Sequence, residues 1–167
     1  MTRPLIVLPA GSVPTDIRFV SGPPKLCDPV STGYWLIFRK TVWTLHEDFV
    51  FSFTVNGVRY VITMKKGTKT DLASTPKAIY WLYPPWDNQY GMPSLGHDGL
   101  YFAELFERWF SDLFLRESMV QCGSSEFTQS AFYGSVRTWG WLVWYKHTAK
   151  TVAQARSLVW IKTETAG

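Results

Sequence analysis

The sequence is poor in cysteine and in charged residues, and both shortages restrict what the protein can be. Its two cysteines, Cys27 and Cys122, match no zinc or redox spacing, so we expect no disulfide and a reducing compartment. Charged residues make up 18% of the chain, and no apolar run approaches the length of a membrane-spanning helix. The N-terminal segment is too short and too rich in proline for a signal peptide. We therefore expect one domain, residues 1–167, made and kept in a cytosol.

Common catalytic and nucleotide-binding motifs are also absent. The sequence contains no GxGxxG, P-loop, GxSxG or HExxH motif, which argues against the usual dinucleotide-binding, NTPase, serine-hydrolase and zinc-protease classes. The net charge of +4 is modest, and the region from Arg137 onward, with five basic residues and one acidic residue, accounts for all of it. No recognised nucleic-acid-binding motif accompanies this charge, so we expect no specific nucleic-acid partner.

Aromatic residues are abundant instead, at 17% of the chain with nine tryptophans. A small core does not need so many, so some are expected to face a partner chain or a membrane interface. The expected partner-binding residues lie in the basic C-terminal region: Arg137, Trp139, Trp141, Trp144 and Lys146. The three tryptophans cannot share one helical stripe, so at least one of them should pack inside. The competing interpretation is an ordinary solvated helix face.

The order of the expected elements, strands first and helices second, indicates an α+β fold. Asn56-Gly57 separates the alternating runs 49–55 and 58–64 and predicts a β-hairpin, because both central positions of a type I′ turn need a positive φ. We expect this small antiparallel sheet to pack on a C-terminal helical part. The expected segments are a proline-rich arm lying on a neighbour (1–30), strands (34–64), a short helix (72–83), helices (94–147) and a basic tail (148–167).

Three helices are expected in the region 94–147. Ser94 should cap the first, the second should run from about Glu107 to Val120, and Ser124 should cap the third, which would extend to about His147. Gly140 in the third helix would allow close helix packing. The tail segment VAQARSLVWI fits either a helix or a strand.

The stretch SLGHDGLY carries the residues that point most directly to chemistry. On a helix, His97 and Tyr101 share a face, and Asp98 points about 100° away from it. A histidine held by a carboxylate can act as a general base, and a neighbouring aspartate can hold a metal ion. The tyrosine hydroxyl could bridge to a further carboxylate, such as Asp112. The competing interpretation is a buried polar network without chemistry.

Asp112 can meet this cluster only if the chain folds back. On one continuous helix it would lie about 22 Å from His97, at roughly 1.5 Å per residue. A break between Glu104 and Glu107 would bring the two helices together as an antiparallel pair. No glycine or proline lies in YFAELFERW, so composition alone does not require the break.

Four linked motifs resemble those of DUF1353, a family of phage and bacterial proteins of unknown function. They are TDLASTP, HDGLY, RWFSD and VRTWG, within residues 49–142. The resemblance implies a phage or prophage origin and no established activity. It leaves residues 1–48 and the tail outside.

A more distant resemblance is to compact phospholipases of the A-two type, which carry an HDxxY helix and a second helix with a carboxylate. It implies that His97 is the base, Asp98 a calcium ligand and Asp112 the residue that orients His97, with Tyr101 holding the network together. The sequence lacks the glycine-rich calcium loop and the dense disulfides of those enzymes. Calcium needs six to eight oxygen ligands, and Asp71 or Asp87 would have to supplement Asp98.

Two functions are therefore expected. The first is a phage-encoded virion structural or accessory protein, in the virion or in the host cytoplasm before assembly, bound to other phage structural proteins or to the host envelope. The alternative is a metal-assisted hydrolase acting on envelope lipid or ester substrates. No cofactor follows from the residues alone; calcium would be the cation if the site is active.

Overall fold

The computed structural model describes residues 4–25, 30–35, 38–70 and 89–165 of the chain. For residues 30–35 and 38–41 it describes the backbone alone. Within these ranges, seven strands and four helices form an α+β fold, as the sequence predicts. The strands are β1 (Thr15–Phe19), β2 (Val30–Trp35), β3 (Phe38–Thr44), β4 (Phe49–Val55), β5 (Val58–Met64), β6 (Lys69–Thr70) and β7 (Val159–Thr165). The helices are α1 (Gly91–Phe102), α2 (Arg108–Gln121), α3 (Glu126–Trp144) and α4 (Ala149–Leu158).

Two antiparallel sheets organise the strands. The larger has the order β1-β4-β5-β7, and the smaller has the order β2-β3-β6. The β4–β5 hairpin occupies the predicted residues, and its register runs without a shift from the Phe49–Met64 pair to the Val55–Val58 pair. Asn56 and Gly57 have φ values of +50° and +77°, as the predicted turn requires. The smaller sheet includes β3, which lies within the strand region expected at residues 34–64, and β2, which begins four residues before that region.

Phenylalanines from one strand and one helical segment form the centre of the core. Side chains two apart on a strand share a face, so Phe49, Phe51 and Phe53 all point from β4 toward the helices and are fully buried. Phe106, Phe110 and Phe114, each four residues apart, meet them with ring-centroid distances as short as 5.3 Å, the separation of Phe114 from both Phe51 and Phe53. This core absorbs six of the eleven phenylalanines, and several tryptophans remain at the surface.

Segments near both ends of the chain contribute a strand to the larger sheet. An arm lying on a neighbour was expected for the proline-rich N-terminal segment; in its described part, β1 pairs with β4 and Ile17 is buried. The C-terminal segment forms helix α4 and then β7, which pairs with β5 along its whole length. The tail therefore completes the fold, because the alternation of Val159 and Ile161 gives the sheet an apolar face.

Two helix caps differ from the expected ones. Helix α1 begins at Gly91 and not at Ser94, since a proline in the first turn, here Pro93, needs no backbone donor. Ser125, one residue later than expected, caps α3 by accepting a hydrogen bond from the Thr128 backbone N–H, and Ser124 donates instead to the Gln89 carbonyl. Helix α3 ends at Trp144, three residues before His147. The helix expected at residues 72–83 lies outside the described residues.

Two glycines of α1 make a matched test of this packing. A Cβ at Gly96 would lie 2.8 Å from a ring carbon of the buried Phe114, and a Cβ at Gly99 would lie 2.6 Å from the sulfur of Met64. We expect Gly96→Ala to lower the free energy of unfolding by about 1–3 kcal/mol, because a caged ring cannot move aside. Gly99→Ala should cost less, because Met64 is flexible and borders a cleft. Urea denaturation of both variants measures the difference, and an equal loss would contradict this account.

Candidate functional site

The chain folds back between α1 and α2, as the proposed site requires. Helix α1 ends at Phe102 and α2 begins at Arg108. Between them, Glu104 adopts a φ of +44°, a left-handed conformation that is uncommon for a residue other than glycine. The buried side chains of Leu105 and Phe106 follow the turn into the core and hold it in place.

The reversal brings His97 and Asp112 together. The Nε2 atom of His97 lies 3.2 Å from Oδ1 of Asp112, within hydrogen-bond distance. On the other side of the ring, Nδ1 lies 3.6 Å from Oδ1 of Asp98, close enough for an ion pair. The His97 ring is therefore held between two carboxylates, and only 7% of the residue is exposed to solvent.

Asp112 is the centre of the charged network. It is completely buried, and its second oxygen, Oδ2, accepts hydrogen bonds from Arg137 at 3.0 Å and from Arg108 at 3.3 Å. The Arg108 guanidinium also donates to the Val136 carbonyl in α3. A carboxylate without water needs such partners, because an unpaired buried charge costs several kcal/mol. Arg108 and Asp112 therefore form more than a surface i,i+4 pair, and Arg137 faces this network rather than a partner chain.

The network also sets the charge of His97. Burial on its own lowers the pKa of this histidine, but hydrogen bonds and charge attraction from Asp112 and Asp98 outweigh burial and raise the pKa from 6.5 to about 9. The imidazole is consequently a cation at neutral pH. Burial, followed by the negative charge of Asp112, also raises the pKa of the Tyr101 hydroxyl, which stays neutral.

Tyr101 does not bridge to a carboxylate, which corrects that part of the prediction. Its hydroxyl donates to the backbone carbonyl of Gly140 in α3. Its ring packs against Trp144, with ring centroids 4.8 Å apart. A Cβ at Gly140 would come within 3.4 Å of the Tyr101 oxygen, so this glycine allows the close helix packing that the sequence predicts. Trp144 is accordingly the tryptophan that packs inside.

Asp98 connects the network to an open cleft. Oδ2 of Asp98 accepts a hydrogen bond from the Thr70 hydroxyl of β6, and the residue forms part of the wall of a cleft of about 300 Å³. Most of the lining is apolar, from Met64, Phe102, Ala155, Leu158 and Val159. Lys69 and Thr68 line the same cleft, so a carboxylate and an ammonium group are both available to a bound molecule.

The described residues do not fit a calcium site. Asp98 is the one carboxylate in the lining of the cleft, and Lys69 adds a positive charge that opposes a cation there. Within the described ranges, no three His, Cys, Asp or Glu side chains are grouped so as to hold a metal ion. Calcium takes six to eight oxygen ligands. Asp71, the expected second ligand, lies outside the described residues.

A second buried polar cluster lies beside the first and was not found from the sequence. Nδ1 of His147 is 3.0 Å from Oε1 of Glu104, and the Arg156 guanidinium donates to the Ala103 and Glu104 carbonyls. The cluster holds the α1–α2 turn against the segment before α4, through His147, and against the last turn of α4, through Arg156. Its partners are 43 to 53 residues apart in sequence, and no local pattern indicates that they meet.

Comparison with known families gives one match. The model of the family described as "Protein of unknown function (DUF1353)" matches residues 43–136, more than half of the chain. The chain belongs to the DUF1353 family. No curated protein and no solved structure matches this DUF1353 protein. These comparisons thus give no support to the likeness to phospholipases, which rests on the HDxxY motif.

The expected partner-binding residues of this DUF1353 protein divide between the interior and the surface. Trp139 and Trp141 are 65% and 47% exposed, and Lys146 is also exposed. Arg137 and Trp144 turn toward the charged network and Tyr101. Of the helices in the described ranges, none combines the length and the apolar character that a bilayer-crossing segment requires.

The raised pKa of His97 predicts how stability depends on pH. The folded pKa of about 9 lies above the unfolded value of 6.5, so the stabilisation from the protonated ring is complete below pH 6.5 and is lost as the pH rises through 9. We expect the free energy of unfolding to fall by up to about 3 kcal/mol across this window. Denaturant unfolding at a series of pH values measures the loss. His97→Gln should remove most of the slope, and a slope that persists in this variant would assign it to another group.

Proposed function

We propose that this protein is a hydrolase that acts on an ester or a related acyl substrate in the cleft beside Asp98. One observation carries the proposal: Asp98 lies in the wall of an open cleft, with the His97–Asp112 pair directly behind it. A carboxylate that is held in place and belongs to the lining of a cleft is a candidate acid–base group. Structural networks of buried charges do not need to adjoin a cleft.

The roles follow from the positions of the side chains. Asp98 is the carboxylate in the described lining of the cleft, and it would take a proton from a water bound there as that water adds to the substrate carbonyl. The same proton would pass to the leaving alcohol when the acyl bond breaks. His97 would act as a positioning residue, because Asp112 fixes its ring and its charge stabilises the Asp98 carboxylate.

The remaining lining of the cleft supports an acyl substrate. Lys69 lines the same cleft, and its positive charge would stabilise an oxyanion that develops beside it. The apolar side chains from β5, β7, α1 and α4 would hold a hydrocarbon portion. A volume of about 300 Å³ lies at the lower end of the range for ligand pockets and therefore favours a short acyl group. The scheme uses only side chains of the cleft lining and a bound water.

Turnover of p-nitrophenyl esters of increasing chain length would test the proposal. We expect Asp98→Asn to lower the rate at least about 100-fold, because it removes the proton acceptor. Lys69→Met should lower it at least about 10-fold by removing the charge that stabilises the oxyanion. Circular dichroism would establish that the variants fold.

One exposed residue provides a matched control for this experiment. Lys66→Met changes the same residue type as Lys69→Met at the surface and should leave the rate unchanged. Measurements with calcium and with EDTA should agree with each other. The proposal fails if the wild-type chain turns over no ester above the uncatalysed rate, or if Lys66→Met reduces the rate as much as Lys69→Met.

We propose, as a second candidate, a structural or accessory role in a phage particle. The observation that favours it is that Trp139 and Trp141 are both exposed, on different sides of helix α3, and that Lys146 is exposed as well. Exposed tryptophans are typical of binding hot spots and costly on an isolated surface. The phage origin implied by the sequence motifs agrees with a protein partner in a particle.

Quantitative mass spectrometry of purified phage particles would test this second role. We expect the chain at a fixed copy number relative to the major capsid protein, and we expect Trp139→Ala with Trp141→Ala to reduce its incorporation at least tenfold, because anchoring tryptophans dominate interface energies. Lys150→Ala, at an exposed position outside helix α3, is the control. Absence of the chain from washed particles would exclude a stable structural role.

A further inference from the structure

One face of helix α3 has a repeating pattern that the fold of the chain does not use. Side chains at intervals of four and three residues share a face of a helix. Six positions at these intervals, which we call the α3 stripe, are all exposed: Phe127, Ala131, Gly134, Thr138, Trp141 and Tyr145. The opposite face packs on α2 and α1 through Phe132, Val136, Gly140 and Trp144. The α3 stripe is thus a seam of coiled-coil spacing directed away from the core.

The α3 stripe has large aromatic residues at its ends and small residues at its centre. Phe127 is 76% exposed at one end, and Trp141 and Tyr145 are 47% and 62% exposed at the other, with their rings in edge contact at 6.0 Å. Between them lie Ala131 and Gly134. Small residues at the centre of a helix face let another backbone approach closely.

Gly134 gives an independent indication of such an approach. A Cβ added at this residue would meet no atom of the chain within 4 Å, so internal packing does not require glycine there. Its φ is not in the left-handed region, so no turn requires glycine either. Glycine in a helix interior costs about 1 kcal/mol relative to alanine. A surface that approaches Gly134 from outside the molecule would account for this costly choice.

We propose that the α3 stripe is the interface through which two copies of this chain form an antiparallel dimer. The stripe is complementary to itself about Gly134: Phe127 lies seven residues before this glycine and Trp141 lies seven residues after it. At about 1.5 Å per residue, both lie about 10 Å from the crossing point. An antiparallel pair that crosses at Gly134 therefore places each Phe127 level with Trp141 of the second copy. This is the isologous arrangement of a twofold dimer.

The exposed aromatic area approaches that of a specific interface. Aromatic side chains present about 150–250 Å² each, so at their exposed fractions the three aromatic residues offer about 280–460 Å² per copy. The pair would bury about 560–920 Å² from these residues alone. The small residues and the helix flanks must add the remainder to reach the roughly 1,000 Å² typical of specific interfaces. The association is independent of the chemistry proposed for the cleft, because the residues of the cleft and of the stripe do not overlap.

Sedimentation equilibrium of the full chain tests the proposal. Two tryptophans that are close in sequence provide the test variant and its control. Trp141 belongs to the α3 stripe, whereas Trp139 is more exposed but lies about 160° away around the helix axis, at about 100° per residue. We expect the wild-type chain to dimerise at micromolar concentration. Trp141→Ala should raise the dissociation constant of the dimer at least about 10-fold, and Trp139→Ala should change it less than about twofold. A monomer at all concentrations, or equal effects of the two variants, would overturn the proposal.

Gly134→Leu tests the close crossing without removing an aromatic anchor. The added side chain enters open space in the single chain, so the variant should fold and unfold no less cooperatively than the wild type. It should nevertheless raise the dimer dissociation constant at least about 10-fold, because the two helices can no longer approach. An unchanged constant would show that Gly134 is not at the crossing.

The orientation of the two helices is open to a direct test by disulfide formation. In a background with Cys27→Ser and Cys122→Ser, chains carrying Ala131→Cys and chains carrying Thr138→Cys are mixed and oxidised. An antiparallel crossing at Gly134 places these two positions opposite each other, so the mixed disulfide should form faster than either homodimeric one. Preference for the homodimeric products would indicate a parallel pair and contradict the proposed arrangement.

Discussion

The buried carboxylate of Asp112 is the interaction on which the helical half of this protein depends. One oxygen holds His97 of α1, and the other holds Arg108 of α2 and Arg137 of α3, so a single completely buried residue joins three helices. Each partner also compensates for removing the charge from water. Without the carboxylate, two guanidinium groups and an imidazolium would face one another at short range. The network therefore requires its charges to be present together.

The same interaction explains why the α1–α2 turn matters more than its sequence suggests. Asp112 reaches His97 only because the chain reverses after Phe102, and the left-handed Glu104 makes the reversal. A strained residue persists where its surroundings fix it. Here the surroundings are His147, which contacts the Glu104 carboxylate, and Arg156, which binds the turn carbonyls. One polar cluster thus secures the turn that allows the other to form.

Much of the fold could be predicted from local sequence patterns, and much of the site could not. The β4–β5 hairpin follows from Asn56-Gly57 between alternating runs, because turn chemistry and strand periodicity agree there. The break between α1 and α2 was a condition for the site, and the sequence did not predict it. Neither glycine nor proline marks the break, and the tertiary contacts of Glu104 stabilise it. The partner of the Tyr101 hydroxyl was wrongly predicted for a similar reason: a backbone carbonyl 39 residues away, at Gly140, leaves no trace in local spacing. The pairing of His97 with Asp112 was expected from the phospholipase resemblance, whereas the fold-back alone allowed Asp112 to face either His97 or Tyr101.

The aromatic residues divide into buried and boundary groups in the folded protein, although their distribution in the sequence looks uniform. Phenylalanine, which has no polar group to satisfy, fills the space between β4 and α2. Tryptophan and tyrosine carry a hydrogen-bonding group and are placed at boundaries, as in Tyr101 at the junction of α1 and α3. Three further aromatic residues of α3, Phe127, Trp139 and Trp141, are exposed at the surface.

The cleft and the α3 stripe lie on different parts of the molecule. The described lining of the cleft comes from β5, β6, β7, α1, α4 and the segment before β6, and Asp98 is the residue of that lining that contacts the charged network. Helix α3 contributes Arg137 to the network from its inner side and presents the α3 stripe from its outer side. A change on the outer side therefore leaves the ligands of Asp112 in place, whereas a change on the inner side disturbs the helices that hold the cleft. The proposed association and the proposed chemistry should consequently be separable by mutation, even though α3 contributes to both.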